Sequence, residues 1–187
     1  MSLITAMPSS EREALIEENL QALSQLRELV AELAPEHYRR PFGAQGRHSL
    51  GKHVRHIIDH YDALMAGAGV GRLDYEARER DARLEDEPTL AAERLAELRA
   101  DLVRIAEPVS TPLSLGYPTE GASVSLTLST SLARELAFLT SHTVHHMAII
   151  GLLAEQLDIA LPEDFGVHPS TLRHWERKAR QGQAAQA

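Results

Sequence analysis

The apolar positions fall into four long stretches with helical spacing, separated by short runs of chain breakers. Leu15, Ile16, Leu20, Leu23, Leu26, Leu29, Val30 and Leu33 recur at three- and four-residue steps, which marks one buried helical face. Ser10 and Glu13 have the spacing of a capping box, and Pro35 closes the stretch, so a first helix is expected from Ser10 to about Ala34. Residues 35–48 hold Pro41, Gly43 and Gly46 and read as a loop. Ser49 is suited to cap a second helix that runs to about Ala66. Its apolar arc, at about 100° per residue, is Val54, Ile57, Ile58, Tyr61, Leu64 and Met65. Gly67, Gly69 and Gly71 predict a turn. Pro88 suits the first turn of a third helix, whose stripe is Leu90, Leu95, Leu98, Leu102 and Ile105. A fourth helix spans about Thr130 to Leu157, with Leu132, Leu136, Leu139, Ile150, Leu153 and Leu157 along one side.

The period changes between the third and fourth helices. Ser123 to Leu128 alternates polar and apolar residues, the mark of a half-buried strand. Tyr117 to Gly121 reads as a turn and Val109 to Leu115 as the partner strand. Beyond Pro162 and Gly166, Pro169-Ser170-Thr171 opens a short helix that carries Leu172 and Trp175. Residues 181–187 read as a disordered tail. The expected fold is all-α: a four-helix bundle with a small β-hairpin between helices three and four and a short C-terminal helix, in a single domain over residues 1–187.

Composition narrows the function classes. With 43% hydrophobic and 25% charged residues the chain has a globular profile, and 4% aromatics leave a core of aliphatic side chains. A net charge of −8 repels phosphate backbones and anionic lipid, so neither nucleic acid nor membrane is an expected partner. The longest apolar run, Met147 to Ala154, is too short to span a bilayer. Met1 to Ser10 has neither a basic nor an apolar signal region, which predicts a cytoplasmic location. The absence of cysteine removes disulfides, thiolate ligands and a cysteine nucleophile together.

The remaining chemistry lies in two histidine clusters. His142 and His146 are spaced i, i+4, so a helix presents both imidazoles on one face. They share that face with Leu139 and Leu153 and should point into the bundle. Buried imidazoles need partners, and a metal satisfies both; carbonyl-bonded core histidines are the plainer alternative. Thr143 stands where the zinc proteases carry glutamate, which excludes that mechanism. His145 points about 60° away from the pair. On the second helix His53, His56 and His60 fall within an arc of about 60°, and the apolar arc favours His53 or His60 as a third ligand. Three histidines without cysteine suit zinc, nickel or ferrous iron, with positions left open for water or substrate. Glu135 lies two turns before His142 on about the same face, placed to orient a ligand, move a proton or bind the metal. An ion pair with Arg134 is the alternative. The charged segment Leu73 to Asp81 is either a solvated surface or a lip where Tyr75, Arg78 or Arg80 meets an anionic substrate group.

Two segments carry a resemblance. Ser49-Leu50-Gly51-Lys52-His53-Val54-Arg55-His56-Ile57-Ile58 and Ser141-His142-Thr143-Val144-His145-His146 resemble the signature segments of the DinB/YfiT-like superfamily, the damage-inducible bundles rather than the DNA polymerase of that name. The resemblance implies a four-helix bundle, often a homodimer, with a metal held by one histidine of helix two and a later His-x3-His pair. Matched residue by residue, the metal ligands are His56, His142 and His146. Characterised relatives include transferases that use low-molecular-weight thiols such as bacillithiol or mycothiol. The implied function is therefore a metal-dependent thiol S-transferase or small-molecule hydrolase. Its cofactors would be one divalent transition metal (zinc, nickel or iron) and a low-molecular-weight thiol. The alternative is a non-enzymatic, stress-responsive metal- or ligand-binding homodimer.

Overall fold

The computed structural model describes residues 9–105, 112–119 and 126–184. In chain order the elements are α1 (Ser9–Glu32), α2 (Pro35–Arg39), α3 (Leu50–Val70), β1 (Arg72–Asp74), α4 (Arg83–Asp86), α5 (Pro88–Arg104), β2 (Leu113–Tyr117), β3 (Leu126–Thr130), α6 (Leu132–Glu155) and α7 (Pro169–Ala184). The four long apolar stretches become α1, α3, α5 and α6. α1 packs on α5 and α6, and α3 packs on the same two helices, so the bundle closes as a ring in the order α1–α5–α3–α6. The protein is an all-α four-helix bundle with a small β insert.

The core is aliphatic, as the low aromatic content requires. Leu23, Leu26 and Val30 of α1 meet Ile57, Ile58 and Leu64 of α3, Leu95, Leu98 and Leu102 of α5, and Leu136, Leu139 and Ile150 of α6. Burial of each such side chain contributes about 1.5–3 kcal/mol. One polar knot crosses this core. The buried Asn19 side chain donates to Leu136 O (3.1 Å) and Thr140 Oγ1 (2.9 Å), and accepts from Tyr61 Oη (2.7 Å). Tyr61 in turn accepts from Thr143 Oγ1 at 3.2 Å. Satisfied polar groups in a core specify one arrangement. Here they set the register of α3 against α6, the two helices that carry the histidine clusters.

Caps fix where those helices begin. Ser49 accepts from Lys52 N at 3.1 Å and Ser131 from Arg134 N at 3.2 Å. By length and composition α6 is apolar enough to cross a membrane, yet Leu136, Leu139, Thr143, Met147 and Ile150 are buried in the bundle.

Several boundaries differ from expectation. α1 begins at Ser9, so Ser10 lies inside its first turn. Residues 35–39 form α2 instead of loop: Pro35 sits at the helix start, and Tyr38 is buried with its hydroxyl donating to Leu84 O at 2.7 Å. α3 runs through Gly67 and Gly69 to Val70, and Gly71 ends it in the left-handed region (φ 75°). The hairpin forms as β2 against β3, with Leu115 opposite Leu128, and β1 adds a parallel edge, with Leu73 opposite Leu115. The predicted strand residues 109–111 and 123–125, with Glu120 and Gly121 of the turn, lie outside the described residues. α7 continues to Ala184, so residues 181–184 are helical; 185–187 lie outside the described residues.

Candidate metal centre

α3 and α6 lie side by side and present their histidines to one seam. Ring centroids are 4.1 Å apart for His60 and His142, 4.4 Å for His56 and His60, 4.5 Å for His56 and His146, 4.6 Å for His142 and His146, and 5.1 Å for His56 and His142. His56, His60 and His142 form the tightest group, each offering a nitrogen within 4.8 Å of the others. His142 Nε2 is buried and has no hydrogen-bond partner among the described residues. A ring nitrogen taken from water and given no partner is costly, and this one belongs to a ring packed among His56, His60 and His146.

The neighbours settle which nitrogens are free. His60 Nδ1 donates to the His56 carbonyl at 2.8 Å. Arginine can only donate, so His60 Nε2 accepts from Arg78 Nη1 at 3.2 Å. His146 Nδ1 lies 3.0 Å from His53 Nδ1, and His53 Nε2 lies 3.1 Å from His48 Nδ1. One proton per ring satisfies that chain in either direction. It runs from exposed His48 through buried His53 to the half-buried His146.

Crowding keeps these imidazoles neutral. Burial, and then neighbouring histidines, push His53 and His142 down to about 4. Burial, followed by His142 and Arg78, holds His56 at about 4. His146 is pushed to about 3 by burial and by His142, His56 and His53. Burial lowers His60 to about 3 against the opposing bond to the His56 carbonyl. The unfolded chain takes up these protons near the ordinary value of 6.5, whereas the fold refuses them until about 4 or 3. Metal-free protein should therefore keep its stability above about pH 6.5 and lose it progressively as the pH falls towards 4. Thermal midpoints recorded from pH 8 to 4.5 check this; a midpoint that stays level from pH 7 to 5 contradicts it.

A model of the DinB superfamily matches residues 18–150. The chain belongs to the DinB superfamily. FK506-binding protein 5 of Rhizopus delemar is 29% identical over 108 residues, which are 57% of this chain and 28% of that protein. The chain thus spans little more than a quarter of that relative's length. Family and donor set agree: neutral imidazoles, one buried ring nitrogen without a partner and no thiolate are compatible with a metal-binding DinB-type protein.

Of the expected ligands, His56 and His142 come together in the close group. His146 packs its ring against both while its Nδ1 is engaged by His53. His60, which the DinB resemblance does not assign, joins the group instead. His145 is exposed. The Glu135 carboxylate is buried and accepts from Tyr75 Oη (2.9 Å), Thr130 Oγ1 (2.5 Å) and Arg134 Nη1 (3.0 Å). Both the ion pair with Arg134 and a tie to the β1 segment are therefore present. That tie places an aromatic wall. The Tyr75 ring stacks on His60 with centroids 5.2 Å apart, and Phe138 stacks on His142 at 5.5 Å. Burial, with Glu135 beside it, pushes the Tyr75 phenol up, so it stays protonated and donates. Tyr75→Phe leaves the buried carboxylate short of one donor and should cost about 1–2 kcal/mol, read by urea unfolding; an unchanged midpoint would remove Glu135 as the anchor of this wall.

Arg78 stands between two spaces. On one side it meets His60; on the other it lines a cleft of about 840 Å³ between α3, the β1 segment, α4 and α5. Its lining combines Ala63, Ala66 and Leu90 with seven carboxylates and four arginines, and among the described residues no histidine lines it. His48, Phe138 and Thr130 escaped sequence reading. Phe138 alone left a signal, since it lies four residues before His142 and so shares its face.

Proposed function

We propose that the protein is a metal-dependent enzyme of the DinB type, a thiol S-transferase or small-molecule hydrolase. His56, His142 and His146 would hold one divalent transition ion. The observation that carries this reading is the buried, unpartnered Nε2 of His142 among neutral imidazoles. A divalent ion at this site supplies Lewis acidity, which lowers the pKa of a thiol or water drawn to it. The chain's own groups do the rest. Tyr75 and Phe138 cover the His60 and His142 rings and exclude water from that side. Arg78 offers a guanidinium for an anionic group of the substrate. Glu135 positions Tyr75 through its phenol. The chain has no cysteine, so a low-molecular-weight thiol would bring the sulfur. We place the enzyme in the cytoplasm as a homodimer that acts on small molecules rather than on nucleic acid or membranes.

The test is turnover by protein loaded with zinc, nickel or iron against thiol acceptors and hydrolysable esters and amides. Activity that disappears in His56→Ala and His142→Ala supports the reading. Metal binding without turnover on any of these substrates supports the second one, a non-enzymatic metal- or ligand-binding dimer. One observation favours that alternative: Glu135, the carboxylate expected to serve as base, already accepts three hydrogen bonds.

A further inference from the structure

His60 has one lone pair to give. Its Nδ1 proton is committed to the His56 carbonyl at 2.8 Å, which leaves Nε2 as the only acceptor on the ring. Two claims converge on that atom. Arg78 Nη1 donates to it at 3.2 Å. The same ring also belongs to the close group with His56 and His142, whose ligand nitrogens all lie within 4.8 Å. A lone pair cannot accept from a guanidinium and bind a metal at once. Arg78 has somewhere else to go: it already lines the neighbouring cleft, and its Nε is buried with no partner.

We propose that Arg78 and a divalent metal are mutually exclusive partners of His60 Nε2, so that His60 becomes a further ligand only when the Arg78 guanidinium swings into the cleft. Metal loading and the turn of Arg78 towards the carboxylates of the cleft are then one event. The cleft's lining holds seven carboxylates against four arginines, Asp59 and Asp62 among the acids, so the released guanidinium has anionic partners within the protein. Arg78 also repels the ion through space, by virtue of its charge alone. The two effects differ in one respect: competition for the lone pair needs His60, and repulsion does not.

This inference rests on the metal reading above, and the experiment separates their failures. Zinc affinity is measured by competition with a chelating indicator for the wild type, Arg78→Met, His60→Leu and the double variant, with thermal melts to confirm folding. Freeing a lone pair held by a charge-assisted hydrogen bond should tighten zinc binding about tenfold to a hundredfold in Arg78→Met. In the His60→Leu background the same arginine change removes only the charge repulsion, so its gain should be smaller than in the wild type by about fivefold or more, well outside additive scatter. An equal gain in both backgrounds, or no gain in the first, overturns the proposal and leaves the metal site standing. Absence of zinc binding in the wild type and every variant overturns the metal reading, and this inference with it. Arg78→Leu repeats the comparison if the methionine variant does not fold. Ring nitrogen resonances give a second readout without metal. His60 Nε2 should shift in Arg78→Met while His53 and His48 stay in place; an unmoved His60 signal denies the contact.

Discussion

Replacing His142 with alanine is expected to weaken zinc binding by about a hundredfold or more, beyond the range seen when only a residue supporting a ligand is lost. The same change should leave the metal-free protein nearly as stable as the wild type. Truncating a large side chain inside a bundle ordinarily costs about 2–5 kcal/mol. His142 differs because its Nε2 is buried and unpartnered. Removing an unsatisfied polar atom returns about 1–3 kcal/mol, which offsets the packing lost against Phe138 and His60. Chelator competition and metal-free urea unfolding measure the two halves separately. A large loss of metal-free stability with unchanged zinc affinity would make His142 an ordinary core residue.

Gly51→Ala is expected to destabilise the fold by about 3 kcal/mol or more, although alanine is the better helix former by about 1 kcal/mol. A Cβ at this position of α3 would stand 2.0 Å from Glu85 O, 2.8 Å from Glu85 C and 2.9 Å from Tyr38 Cε1. Two of those atoms are backbone and cannot rotate aside. α4 would have to retreat, breaking the bond from Arg55 Nε to Glu85 (2.6 Å) and that from Tyr38 to Leu84 (2.7 Å). Arg55 also holds Asp59 at 2.5 Å, one residue from His60, so the damage reaches the seam. Urea unfolding checks this. A variant as stable as the wild type would mean that α3 and α4 do not approach so closely.

The long periodic stretches were the easiest part of the fold to read. Caps and stripes describe each helix by itself, and Ser49 does cap α3. The alternating stretch before α6 likewise predicted the hairpin. Structure held by contacts between distant segments left less trace. β1 is three residues long, too short for a period, and exists because β2 pairs with it. α2 looked like loop because its stability comes from Tyr38 reaching Leu84 across the sequence. Gly67 and Gly69 read as a turn because glycine is a poor helix former, but the helix continues through both.

The site shows the same division. The spacing of His142 and His146 was legible because i, i+4 is a property of one helix. The choice among His53, His56 and His60 depends on how α3 meets α6. A helical wheel ranks residues by their distance from the apolar arc, whereas the seam lies beside that arc. The half-buried His56 therefore joins the group together with the buried His60, while His53 turns to His146 and His48. Glu135 was visible as an inward carboxylate, but its partner Tyr75 lies sixty residues away in sequence, which no local pattern reports.

The most direct test of the metal site is elemental analysis of untagged protein after incubation with zinc, nickel or iron and removal of excess ion. About one equivalent per chain is predicted, falling to near zero in His142→Ala. Less than about a tenth of an equivalent of every ion in the wild type would contradict the account.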